Sequence, residues 1–489
     1  MSPQTVALLV ALGVVASAVL VGAFGARGKR GDPRDFLVAG RSFGSLLLWL
    51  LLAGEIYTTF TFLGAAGWAY GKGAPIFYVL CYGPIAYIIG FFVMPLVWRV
   101  AKHYDLLTVG DLFAERYASK PLGAFVALVG FVFLVPYVTL QLTGLEVLLQ
   151  IAGYGSFDAD RAVVVAVIVM AAFVFVTGLR GTAWTSIAKD ALVLCAVAFA
   201  GIALPMRFFG SPAGVIARVE TLHPGWLTLH ASNVYSPAWF VSTVLLTGAT
   251  FFLWPQSMAA VYSAKSADAL RRNYIFLPAY QIMLVLMIFA GLTALLVMPG
   301  LTGADVDKSF VLVVARHYPP WVLGAVAGAG CLAALVPVCG QLLAAAGLAV
   351  KNILVDGARW RPSALAETLA MRICVVVVAI AALVLWAFLK TTLVELLLIA
   401  YNGIAQCIPG VAFAFWWPRA TPAGIAAGIA TGILVLVAFA QEPVLAGINT
   451  GVVALAANGI VAALVSVFSP APPAGRVRRF LTAARGESL

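Results

Sequence analysis

The 489-residue sequence predicts an all-α polytopic membrane protein of about thirteen transmembrane helices, on three observations. Hydrophobic residues are 63% of the chain and charged residues 10%, where soluble domains carry about 25% charge, and the mean hydropathy is +1.04. One soluble core cannot enclose that much apolar surface, so lipid must act as solvent. Apolar runs of roughly 20 residues, enough to cross a hydrocarbon layer of roughly 30 Å, recur from end to end. Finally, the basic residues separate these runs instead of gathering in one patch, which excludes a nucleic-acid surface despite a net charge of +11.

In chain order the expected spans are 5–25, 43–70, 74–98, 122–152, 161–180, 185–206, 237–263, 273–298, 321–355, 367–389, 393–417, 422–441 and 446–468. The first has no basic segment before it and reads as a true helix, not a removable leader. No long polar linker divides the chain, so one membrane domain is expected. Its parts are an extra helix (5–25), two five-helix repeats (43–206 and 237–417), two C-terminal helices (422–468) and a tail (469–489). The longest outside loop, 207–236, is either a plain connector or the carrier of a short interfacial helix. With the N-terminus outside, 22 of the 30 Lys and Arg fall on the cytoplasmic side and seven in outside loops, including Lys390. The positive-inside rule therefore puts the C-terminus in the cytoplasm, in a plasma membrane of the bacterial inner-membrane kind. The remaining basic residue, Lys189, stands inside a span.

The six Cys all fall in expected spans with no CxxC pair, and the four His lie in loops with no HExxH. Neither set offers metal-ligand spacing, so the Cys read as packing residues and no metal, cofactor or enzymatic activity is expected.

Backbone groups in a bilayer must be satisfied internally, so a helix interrupted inside the membrane marks a cavity or site. Span 2 offers one break at Gly54-Glu55-Ile56-Tyr57-Thr58-Thr59, and span 7 another at Trp254-Pro255-Gln256. Lying five spans apart, they fit two opposed five-helix repeats.

Four motifs then carry a family resemblance: Phe36-Leu37-Val38-Ala39-Gly40-Arg41, Gly178-Leu179-Arg180-Gly181-Thr182-Ala183-Trp184-Thr185, Trp254-Pro255-Gln256, and Cys339-Gly340-Gln341-Leu342-Leu343. In this order and at these spans the chain resembles the sodium:solute symporter family over nearly its whole length. Pro136-Tyr137, Gln141-Leu142, Gly144, Ala188-Lys189-Asp190 and Leu335-Val336-Pro337 resemble the bacterial monocarboxylate-permease branch. The resemblance implies a LeuT-type fold, alternating access and a small carboxylate-bearing solute such as a monocarboxylate or a small amino acid.

In the family a sodium ion sits between carbonyls of the first repeat helix and hydroxyls of span 9. The matching positions are Ala53, Ile56, Val336 and Pro337, and the last two carry no side-chain oxygen. Lys189 stands one turn beyond Ser186, where the family has an acid. The expectation is that the Lys189 ammonium replaces sodium, touching carbonyls near Ala53 and Ile56, and couples transport to protons, with Glu55 and Asp190 as the associated carboxylates. The bland alternative is a static Lys189–Asp190 or Lys189–Glu55 pair that only holds helices together.

Family substrate positions carry over to Thr59, Tyr137, Thr247 and Phe251, and Tyr57, Thr58 and Gln141 join them on their own chemistry. Thr58, Thr59 and amides freed around Gly54–Ile56 would bind the anion, with the aromatic residues as walls. The polar run Tyr401–Pro409 in span 11 reads either as an inner gate or as helix–helix glue. Two alternatives stay open: a sodium symporter whose cage is rebuilt from Thr58, Thr61, Glu55 or Ser186, and a transporter-like sensor, which this chain, without a kinase domain, would need a partner to complete. The expected partners are the solute and the bilayer, and a monomer fits.

Overall fold

The computed structural model describes residues 1–25, 37–155, 158–231, 234–388, 391–445 and 447–487. Phe36 and Lys390 lie outside the described residues. The helices are α1 (Pro3–Gly25), α2 (Ser45–Gly54), α3 (Ala65–Gly71), α4 (Tyr78–Tyr104), α5 (Val109–Tyr117), α6 (Lys120–Ala152), α7 (Ala159–Ala198), α8 (Leu204–Phe209), α9 (Pro212–Leu222), α10 (Pro237–Thr250) and α11 (Pro255–Ser263). There follow α12 (Ala267–Phe276), α13 (Pro278–Val297), α14 (Ser309–His317), α15 (Pro320–Gly347), α16 (Ala364–Phe388), α17 (Leu393–Ala405), α18 (Ile408–Trp416), α19 (Pro422–Ala438), α20 (Thr450–Phe468) and α21 (Ala474–Arg485). A two-stranded antiparallel ribbon, Val444–Leu445 with Ile448–Asn449, joins α19 to α20.

Among the described residues nine helices are long and apolar enough to cross a membrane, or ten if the bent pair α10–α11 is one span. The three remaining expected spans differ for separate reasons. Span 43–70 is broken between α2 and the π-turn Phe60–Gly64. Span 422–441 contracts to the 17 residues of α19. The expected loop at 180–184 is helical, so spans 161–180 and 185–206 run together in α7, which has 40 residues. No proline lies between Arg161 and Leu204 to force a stop there. The segment 207–236 does contain a helix, α9, whose buried face is Val215 and Val219.

Helix α15 forms the centre, with every residue from Val336 to Gly347 buried. Proline at the first turn starts α9, α10, α11, α13, α15 and α19, where its missing N–H would be unsatisfied anyway. A capping box of Thr392 and Glu395 starts α17.

The outer wall carries a buried acid, Asp307, in the loop between α13 and α14. Its Oδ2 accepts the Leu393 N–H at 2.9 Å at the start of α17, while Oδ1 is buried without a partner. Burial, and to a lesser degree the neighbouring Glu395, push the Asp307 carboxyl up to about 7, against the lowering effect of the Leu393 bond. A carboxyl whose folded value is raised favours folding while protonated. Its contribution is therefore present below pH 4 and is lost as pH rises toward 7. Asp307→Asn is expected to flatten the pH dependence of the melting temperature between pH 4 and 7; an unchanged slope would show that another group sets it.

Candidate solute and coupling site

Helix α2 stops at Gly54 because the chain turns through Glu55–Thr58 before resuming at Thr59. Within that turn the Ala53 carbonyl accepts the Ile56 and Tyr57 amides at 2.9 and 3.2 Å. The Ile56 carbonyl accepts the Thr58 amide at 3.1 Å and the Thr61 hydroxyl at 2.5 Å. The carbonyls of Gly54 and Tyr57 meet an outside donor instead. Lys189 takes both: its Nζ donates to Gly54 O at 2.7 Å and Tyr57 O at 3.3 Å, and it lies 3.0 Å from Asp190 Oδ1. The ammonium is fully buried, with its countercharge on the adjacent residue of the same helix.

The contacts fall near Ala53 and Ile56 as expected, each one residue further along. Ala53 and Ile56 are spent inside the turn, so Gly54 and Tyr57 meet the amine. The ion pair is with Asp190, while Glu55 is turned toward Gln256 at the start of α11 and still feels the Lys189 charge. Gly340 of α15 sits against the same group, and a Cβ there would come within 2.9 Å of Glu55 Oε1. A side chain at residue 340 would displace the Glu55 carboxylate from this position. Val336 and Pro337 supply no oxygen, and Val336 lines an apolar cavity with Leu332, Leu335 and Thr185. Of the hydroxyls named for a rebuilt sodium cage, Thr61 donates to Ile56 O, Ser186 donates to Thr182 O, and Thr58 accepts the Phe60 amide, so each keeps an oxygen lone pair.

Thr59 opens the second half of the broken helix, and Gln141 of α6 caps it. Gln141 Oε1 accepts the Thr59 amide at 3.1 Å and the Thr59 hydroxyl at 2.7 Å. The two helices touch because residue 144 is glycine: a Cβ there would lie 2.5 Å from Thr59 Cβ. The expectation that Thr59 and the amides of the break are free to bind an anion is therefore not met. The amides of Glu55 and Ile56 bond Leu51 O and Ala53 O, and Thr59 serves Gln141. Tyr57 donates its hydroxyl to Tyr280 O on α13 at 2.6 Å and so ties helices together.

Span 7 breaks at Trp254, whose ψ of 136° leaves the helical region before Pro255 restarts it, and α10 and α11 meet at a 49° bend. The Trp254 ring packs on Tyr137 at 4.8 Å and on Tyr401 at 5.1 Å. Phe251 belongs to an adjoining aromatic group with Tyr82 at 5.7 Å and Phe252 at 4.9 Å. In the polar run of span 11, Tyr401 reaches this centre, whereas Gln406 accepts the Asn458 amide of α20 at 2.8 and 3.1 Å and acts as glue.

Glu55 Oε2, Gln141 Nε2, Thr247 Oγ1, Gln256 Oε1 and both amide atoms of Gln341 are buried with no hydrogen-bond partner among the described residues. Buried polar groups are nearly always paired, and each exception costs about 1–3 kcal/mol. Gln256 and Gln341 were not anticipated as site residues. Their signal was available: each is an amide inside an apolar span, within a motif already singled out.

Two interrupted helices, a buried ammonium bridging one of them, and a set of unpaired amides and hydroxyls inside a multi-span bundle define a secondary transporter, not an enzyme. The sodium:solute symporter family model matches residues 36–432. An uncharacterized symporter of Bacillus subtilis, YhjB, is 37% identical over 95% of this chain and 97% of its own. The chain belongs to the sodium:solute symporter family. A monocarboxylate transport permease of Rhizobium johnstonii is 29% identical over 89% of this chain and 90% of its own. A substrate-bound, outward-open Na+-coupled sialic acid symporter superimposes with a TM-score of 0.81 at 15% identity, covering 96% of this chain and 99% of that one. The fold is thus all-α and LeuT-type.

Proposed function

We propose that this chain is a proton-coupled symporter of a small monocarboxylate, working by alternating access, with the Lys189 ammonium in place of a sodium ion. The observation that carries this reading is the placement of Lys189 Nζ on the Gly54 and Tyr57 carbonyls. Those carbonyls belong to the broken helix of the first repeat (43–206), and the second break lies in the repeat 237–417. Protonated, the amine holds α7 to the break. Deprotonated, it loses its charge-assisted bonds and its attraction to Asp190, and one repeat is released to move against the other.

The solute class rests on the likeness to the monocarboxylate permease and on the unpaired donors Gln141 Nε2 and Thr247 Oγ1, which suit a carboxylate. Tyr137, Trp254 and Phe251 are buried aromatic rings able to wall a short apolar tail. The expected setting is a plasma membrane with the N-terminus outside.

Proteoliposomes given an imposed pH gradient or an imposed sodium gradient, with a panel of small monocarboxylates and amino acids, test the proposal. Accumulation of a monocarboxylate is expected with an inward proton gradient and no sodium. Accumulation that requires sodium and ignores pH would refute the coupling. Uptake confined to uncharged solutes would refute the carboxylate.

A further inference from the structure

A second site lies where α21, packed against α4 and α5, faces the loops that follow α18 and α20. A cavity of about 590 Å³ there is lined by Arg419, Arg478 and Arg485, with Val477, Leu481 and Pro418 as apolar walls. Glu487 is the one acid lining it. Among the described residues neither Arg478 nor Arg485 enters an ion pair. Arg419 is held in place by its own chain: Nη2 donates to Val467 O at 2.9 Å and Ser469 O at 2.8 Å, and Nη1 is buried with no partner.

The wall formed by α21 is fixed. Val477 and Phe480 are buried, Arg476 pairs with Glu115 at 3.3 Å, and Arg99 donates to Ala484 O at 3.3 Å. Trp416 and Phe468, two and three residues before the lining residues Pro418 and Ala471, end their helices 61% and 86% exposed. Aromatic residues at the ends of apolar helices settle at the boundary between acyl chains and headgroups. Three guanidiniums at that depth, over an apolar flank, match a phosphodiester whose acyl chains continue into the bilayer.

We infer that this cavity binds the headgroup of an anionic phospholipid, with Arg478 and Arg485 contacting the phosphate and Arg419 Nη1 completing the set. Phosphate chemistry alone would also admit free phosphate. The position beside Trp416 and Phe468 favours the lipid.

The test uses the full chain purified in detergent, with native mass spectrometry and melting curves. Phosphatidylglycerol, phosphatidylcholine and inorganic phosphate are added in separate arms. Phosphatidylglycerol is expected to remain bound and to raise the melting temperature, and R478Q/R485Q to weaken its retention about tenfold or more. The control R359Q/R361Q removes the same charge from a loop between α15 and α16 and is expected to retain lipid as the wild type does. Equal losses in the two variants, equal protection by phosphatidylcholine, or full protection by inorganic phosphate would each overturn the site.

Discussion

Lys189→Ala is expected to abolish gradient-driven accumulation of solute. The substitution removes the donor to the Gly54 and Tyr57 carbonyls and leaves Asp190 as a buried, unpaired carboxylate. Breaking a buried pair from one side costs about 3–5 kcal/mol, so loss of activity could reflect loss of the fold. The double variant Lys189→Ala/Asp190→Asn removes both charges and separates the two effects. It is expected to be recovered as folded protein, to show a normal melting transition, and to fail to concentrate solute under a proton gradient in proteoliposomes. A double variant that still concentrates solute would leave the amine with no part in coupling, as a static pair requires.

Gln141→Glu carries the second large effect. The new side chain keeps an oxygen to accept both Thr59 bonds, so the cap on the second half-helix survives. What changes is Nε2, the buried donor without a partner, which becomes an oxygen. Against an anionic solute, an unpaired donor replaced by an acceptor costs on the order of 2–3 kcal/mol, or about a hundredfold in half-saturation concentration. Measured monocarboxylate uptake should show that rise in the protein that folds, with the buried carboxylate lowering the folded yield. An unaltered half-saturation value would place the carboxylate elsewhere, with Thr247 the next donor to examine.

Both breaks were legible from local chemistry. A glycine beside an acid and a Trp-Pro pair inside apolar spans conflict with continuous helix, and the chain departs from helix at both places. Lys189 was legible as the one basic residue no loop could claim. The register of its contacts was not, because motif alignment carries residues across but not the turn's internal bonds, and these consume Ala53 O and Ile56 O. The same reason misplaced the anion donors: whether Thr59 is free depends on Gln141, which lies 82 residues away. The loop at 180–184 rested on dividing an apolar run by length, and with no proline the helix simply continues.

Trp254 has a further consequence. Its indole touches Tyr137 on α6 and Tyr401 on α17, so any rearrangement that parts these two helices must strip at least one ring from its neighbour. Such a contact is worth about 0.5–1.5 kcal/mol, comparable with the few kcal/mol that separate populated conformers. A latch of that size biases the resting shape without locking it. It leaves the choice between the two ends of the cycle to whatever occupies the centre.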